Sequence, residues 1–261
     1  MSKVFTKYLP IMVIGLCFYG EAGAVPVTFT AENYMANALT WAMDTTTTSW
    51  TLVNKDTDNP PTSSSPPLSA HAEIPGITNQ VSYHGIADAL AQSGHLEMSA
   101  AAESGSPDYQ VMAYAHAGFV GDFTATTADI FFAYDMSYDL SVSGDNPFAG
   151  FSHSWSLFDI TGPGWSFIDG GSGVFTITSG SLSDITSDEI LLPTTVGHQY
   201  RFYFDSGPIL DARVTGLGVA TASLTADYGL DTESAVPEPS TLLLLGSGLV
   251  GLGFVRRKFK A

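Results

Sequence analysis

Ile130-Phe131-Phe132-Ala133-Tyr134-Asp135-Met136-Ser137-Tyr138-Asp139-Leu140-Ser141-Val142 alternates in character: every even position is apolar or aromatic, and Asp135, Ser137, Asp139 and Ser141 fill the odd ones. Side chains of an extended chain point to opposite faces with a period of two, so this stretch predicts one long half-buried strand. Working outward, Val111–Val120, Val174–Thr178, His198–Phe204 and Ala212–Tyr228 show the same alternation or a β-rich composition, and Trp155–Ile160 fits a shorter strand. Turn clusters at Gly144-Asp145-Asn146-Pro147, Thr161-Gly162-Pro163-Gly164 and Asp169–Gly173 separate them. Only Ile86–Gln92 suggests a helix. Strands in succession, without amphipathic helices between them, predict an all-β fold: an antiparallel β-sandwich, jelly-roll-like in its connections.

The 261 residues are 44% hydrophobic, 12% aromatic and 13% charged, which excludes a wholly disordered chain. Between Val25 and Val236 stand 24 acidic residues against three basic ones, Lys55, Arg201 and Arg213, a balance of −21. Nucleic acid and anionic membrane surfaces would repel such a body. The sole cysteine, Cys17, falls in the N-terminal apolar run, so the body has no disulfide, thiolate metal site or cysteine nucleophile. Asp56–Pro67, with four prolines and several Ser and Thr, reads as an exposed loop or linker. The 45 or so residues before Ala70 are few for a core of their own, which favours a single domain over 25–235.

Both ends carry address signals. Lys3 and Lys7, the apolar run Tyr8–Tyr19, and the small residues Ala22 and Ala24 read as a signal peptide over 1–24, cut by signal peptidase to leave Val25 first. Leu16 before Cys17 argues against a lipoprotein signal, and an uncleaved anchor is the alternative. At the other end Val236-Pro237-Glu238-Pro239 precedes a charge-free Leu- and Gly-rich segment, 241–255. The basic end 256–260 follows, with Arg256, Arg257, Lys258 and Lys260. Fifteen residues at ~1.5 Å each make about 23 Å of helix, a short transmembrane span that the basic residues would hold on the cytoplasmic side. Pro237 and Pro239 keep the preceding segment extended and open to a protease.

This order of parts, over 236–261, resembles the PEP-CTERM sorting tail. The resemblance implies an exosortase-like processing protease as partner and export through Sec. It further implies a transient inner-membrane anchor, followed by residence on the outer surface or in the extracellular matrix of a Gram-negative bacterium that makes exopolysaccharide. It says nothing about the activity of the body.

Within the body no catalytic motif stands out. His71, His84, His95, His116, His153 and His198 have no zinc-binding spacing, and neither a GxSxG elbow nor a phosphate-binding glycine loop is present. The Ser- and Gly-rich runs Gly171-Ser172-Gly173 and Ser179-Gly180-Ser181 read as hairpin turns. Asp56-x-Asp58-Asn59 and Asp184-x-x-x-Asp188-Glu189 could supply oxygen ligands to Ca²⁺, although neither has the glycine and closing Glu of an EF-hand. Of the four tryptophans, Trp155 alternates with Leu157 and belongs in the core, whereas Trp165, after Gly162-Pro163-Gly164, is the one to present an aromatic face to a ligand. The expected role is a non-enzymatic surface or matrix protein. A carbohydrate-binding module retained by exopolysaccharide is the first alternative and a secreted hydrolase the second, with no catalytic residue, resident metal or other cofactor assigned.

Overall fold

The computed structural model describes residues 25–46, 51–78, 81–205 and 210–232. The expected signal peptide with Ala22 and Ala24, the sorting residues 236–239, the span 241–255 and the basic end 256–260 lie outside them. Val25–Ser234 forms one compact unit. Its described residues form thirteen strands: β1 Phe29–Asp44, β2 Thr51–Asp58, β3 Leu68–Thr78, β4 Val81–Gln92, β5 His95–Ser104, β6 Tyr109–Thr124, β7 Asp129–Gly144, β8 Pro147–Asp159, β9 Ser166–Ile177, β10 Gly180–Pro193, β11 Gln199–Asp205, β12 Leu210–Thr215 and β13 Gly218–Asp231. Among the described residues no helix is long and apolar enough to cross a membrane.

The strands make two antiparallel sheets. One has seven strands, with β9 against β8, then β11 and β12, β6, β1 and β2; the other has six, β10-β7-β13-β5-β4-β3. β11 and β12 share one lane, since both pair with β6 and with β8, Tyr203 opposite Val120 and Arg213 opposite Met112. Five connections, β2 to β3, β5 to β6, β7 to β8, β9 to β10 and β12 to β13, pass from one sheet to a facing strand of the other. The alternation over 130–142 becomes the middle of β7: Ile130, Phe132, Met136, Tyr138, Leu140 and Val142 are buried, while Asp135, Ser137, Asp139 and Ser141 are exposed.

The core is graded. Around β8, β11 and β7 it is aromatic, with Phe132 within 5.8 Å, ring to ring, of Trp155, Phe202 and Phe204. Each such pair adds about 0.5–1.5 kcal/mol beyond area burial. Around β1, β4, β5 and β6 it is built of alanine: Ala36, Ala38 and Ala42, Ala87, Ala89 and Ala91, Ala100 and Ala102, Ala113, Ala115 and Ala117 are all buried. That alanine row corrects the helix expected over Ile86–Gln92, which is strand β4. Its alanines face the core, and Ile86, Asp88 and Leu90 stand on the outer face.

Two expected irregular segments also prove to be strand. Asp56 to Asp58 completes β2, so the Pro-rich loop begins at Asn59. Asp169–Gly173, expected as a turn, lies inside β9, where glycine answers a packing demand: a Cβ on Gly171 would sit 2.7 Å from Trp155 Nε1. His198, expected in a strand, lies just before β11. The turn 144–147 stands as read, with positive φ at Gly144 (99°) and Asn146 (40°) between β7 and β8.

Candidate functional site

The connection from β8 to β9 is held at its base and presents its tip. Thr161 N–H donates to Asp159 Oδ1 at 2.8 Å, Gln199 N–H donates to Thr161 Oγ1 at 2.8 Å, and His198 Nδ1 lies 2.7 Å from Asp159 Oδ2. The hydrogen bond from His198, then those from Thr161, hold the Asp159 carboxyl at about 2, so it is an ionised anchor. On this base Trp165 is 58% exposed and Phe167 62% exposed. Both rings pack on Phe158, at 6.0 and 5.6 Å, and Phe158 in turn meets Tyr203 edge-on at 5.8 Å.

Arg201 braces this platform. Its guanidinium carbon lies 4.7 Å from the centre of the Trp165 ring, while Nε and Nη2 donate to the two oxygens of Asp122 at 2.6 and 2.7 Å. Asp122 stabilises the guanidinium charge and fixes its plane, so Arg201 acts on the indole as a positioning residue.

Strand β8 carries the platform onto the outer face of the seven-stranded sheet. Ala149, Phe151, His153, Trp155 and Leu157 point into the core, leaving Phe148, Gly150, Ser152, Ser154, Ser156 and Phe158 outward. An aromatic ring stands at each end, with only glycine and serine between. At the Phe148 end the arrangement repeats: Arg213, directly opposite Phe148, lies 4.9 Å above its ring and its Nη2 donates to Asp211 Oδ2 at 3.3 Å. Asp211 is 7% exposed, its Oδ1 has no hydrogen-bond partner among the described residues, and burial pushes its carboxyl up to about 6 against the pull of Arg213.

The opposite outer face has another chemistry. A cavity of about 380 Å³ there is bordered by Asp58, His71, Asp88, Glu97 and Ser99. Asp88 sits in the middle, with His71 Nδ1 2.6 Å from Oδ1 and Ser99 Oγ donating to Oδ2 at 3.2 Å. Because the carboxylate separates ring and hydroxyl, His71 is not placed to take a proton from Ser99, as a nucleophilic triad requires. Asp88 raises the His71 pKa instead. His95 pairs with Asp227 at 2.7 Å and His84 with Glu73 at 3.2 Å. Among the described residues no three His, Cys, Asp or Glu side chains converge to hold a metal ion.

The four aspartates considered for Ca²⁺ have backbone partners. Asp56 Oδ1 accepts from Thr57 N–H and Oδ2 from Glu73 N–H, at 2.9 and 3.0 Å; Asp58 accepts from His71 N–H at 3.0 Å; Asp184 and Asp188 accept from the next amide along, at 2.8 and 2.9 Å.

Of the residues singled out in the sequence, Trp165 is exposed and Trp155 buried. The sequence reading missed Phe158, Phe167, Arg201, Phe148 and Arg213. The signal for β8 was there as Phe-x-Gly-x-Ser-x-Ser-x-Ser-x-Phe from Phe148, had the strand been carried back beyond Trp155.

Residues 235–258 match the family described as the PEP-CTERM protein-sorting motif. The chain carries a PEP-CTERM tail. This tail marks the protein for secretion, processing by an exosortase, and the cell surface. No curated protein matches the chain. The solved structures that match resemble the chain weakly. The first, described as "CBM4 structure and function", is 11% identical, covers 55% of this chain and 74% of its own, and gives a TM-score of 0.24. The enzymatically active domain of a bacteriophage CBA120 tailspike is 11% identical over 62% of this chain and 19% of its own, with a TM-score of 0.22. The cowpea mosaic virus empty virus-like particle is 10% identical over 86% of this chain and 92% of its own, with a TM-score of 0.15. Scores this low establish no shared fold.

Proposed function

We propose that the body is a non-enzymatic, polysaccharide-binding protein of the bacterial surface or matrix, released from its membrane anchor by the exosortase and retained by exopolysaccharide. The observation that carries this reading is the Trp165 platform. Two aromatic rings stand more than half exposed, Trp165 on a loop fixed at its base and braced by a paired arginine, and Phe167 at the start of β9. Exposing rings of this size costs hydrophobic free energy, and a ligand with flat apolar faces and a hydroxylated rim, as sugars have, would recover it.

The neighbouring carboxylates support binding over hydrolysis. Asp122 is occupied by Arg201 and Asp159 by His198 and Thr161, and Asp159 is held ionised, the opposite of what a general acid needs. Native affinity electrophoresis of residues 25–234 tests the reading. Gels would contain dextran, galactomannan, xyloglucan or hydroxyethylcellulose, with alginate and polygalacturonate beside them. At least one polysaccharide should retard the protein, and Trp165→Ala should weaken that retardation tenfold or more without lowering the melting temperature. Unretarded migration in every gel refutes the proposal.

A further inference from the structure

The two ends of β8 repeat one construction. At each end a phenylalanine of β8 faces an arginine on the neighbouring lane, Phe158 opposite Arg201 and Phe148 opposite Arg213. Each arginine lies over an aromatic ring and is tied to a carboxylate of the same sheet face. At each end a ring also leans over a glycine: a Cβ on Gly150 would come 3.2 Å from Phe148 Cζ, and one on Gly170 3.1 Å from Phe167 Cε2. Those glycines leave room for the rings to lie along the sheet. The ten steps from Phe148 to Phe158 span about 33 Å at ~3.3 Å per residue.

Between the ends the surface is low. Gly150, Ser152, Ser154 and Ser156 on β8 adjoin Thr176, Val174, Ser172 and Gly170 on β9, so no large polar side chain blocks the way along these two strands. Serine and threonine hydroxyls supply the polar groups. Beneath the Phe148 end Asp211 holds a carboxylate oxygen with no partner among the described residues, in a residue more than nine-tenths buried, an acceptor whose desolvation is uncompensated.

We infer that β8 is a linear track for an uncharged polysaccharide, with the Phe148–Arg213–Asp211 cluster as a second subsite about 33 Å from the Trp165 platform. This rests on the polysaccharide-binding reading and adds the ligand's charge, its length and a second set of residues. Neutrality follows from the pairing: each arginine already has its own carboxylate, and a polyanion would meet the repulsion of a body with a −21 balance. Length follows from two built ends joined by small side chains, an arrangement suited to the interior of a chain and wasted on a single sugar.

The test is isothermal titration of residues 25–234 with oligosaccharides of two to eight units, cut from whichever neutral polysaccharide retards the protein. Affinity should climb at least tenfold between the shortest and the longest. Phe148→Ala should flatten that climb, Phe148→Tyr should restore it, and Trp165→Ala should weaken binding at every length. Affinity that is already maximal at two units, or a climb untouched by Phe148→Ala, overturns the track while the Trp165 platform stands. Preferential binding of alginate or polygalacturonate overturns neutrality alone, and retardation by no polysaccharide at all overturns both readings. The unaltered protein's length series decides the matter even if Phe148→Ala folds poorly.

Discussion

At the scale of single residues, two buried titratable groups pull stability in opposite directions with pH. Asp211 has its pKa raised to about 6 from 3.8 by burial, so its contribution is fully present below 3.8 and is lost as pH rises through 6. His153 is buried against Phe151 and Phe175, its Nδ1 without a partner among the described residues, and burial lowers its pKa. Its neutral form fits above 6.5, and stability falls as pH drops below that value toward the lowered one. Replacing Asp211 with Asn removes the cost of an ionised buried carboxyl. The expected gain is on the order of 2 kcal/mol at pH 8, shrinking to nothing or reversing by pH 4. Urea midpoints of both proteins at the two pH values check this, and a gain that does not vary with pH would assign the effect to packing.

At the scale of elements, the acidic residues acquire a structural explanation. An edge strand presents unpaired amides that invite another chain. Here the edge strands block theirs from within: Asn54, Asp56, Asp169, Asp184 and Asp188 each accept the N–H of the next residue, on β2, β9 and β10. On β3 the amides of His71 and Glu73 are taken by Asp58 and Asp56, which also stitch the two sheets together at that side. The double variant Asp184→Ala/Asp188→Ala should therefore melt within a few degrees of the parent yet associate as concentration rises, seen as earlier elution in size exclusion. A strictly monomeric variant would show that these carboxylates do not protect the edge. β7 was legible because tyrosine, methionine and leucine alternate with aspartate and serine. β4 was not, because its buried face is alanine, a weak hydrophobic signal and a strong helix former. Trp165 was legible from the glycines before it, whereas Arg201 and Arg213 acquire their partners only through pairing across strands.

At the scale of the whole molecule, the outer faces differ. Lys55, Arg201 and Arg213 all lie on the outer face of the seven-stranded sheet, opposite Trp41, Phe158 and Phe148. The other face shows Glu97, Glu103, Asp135, Asp139 and Asp227. The order of assembly matters as much as the faces. The lane of β11 and β12 separates β8 from β6, and β13 separates β7 from β5, so the last strands occupy the middle of both sheets. Val27 N–H donates to Leu230 O at 2.8 Å and Thr232 N–H to Val25 O at 3.0 Å, joining the first residues of the body to the last. A fragment ending at His198 should accordingly lack the cooperative melt of residues 25–234 by circular dichroism; a normal melt would show that the flanking strands suffice. In a chain delivered across a membrane N-terminus first, the centre of the sandwich is the part that emerges last. The earlier strands must wait unlocked, which keeps the polypeptide threadable during transit. Closure then falls at the moment when the sorting tail reaches the membrane, so that the processing enzyme meets a substrate whose body has only just become able to fold.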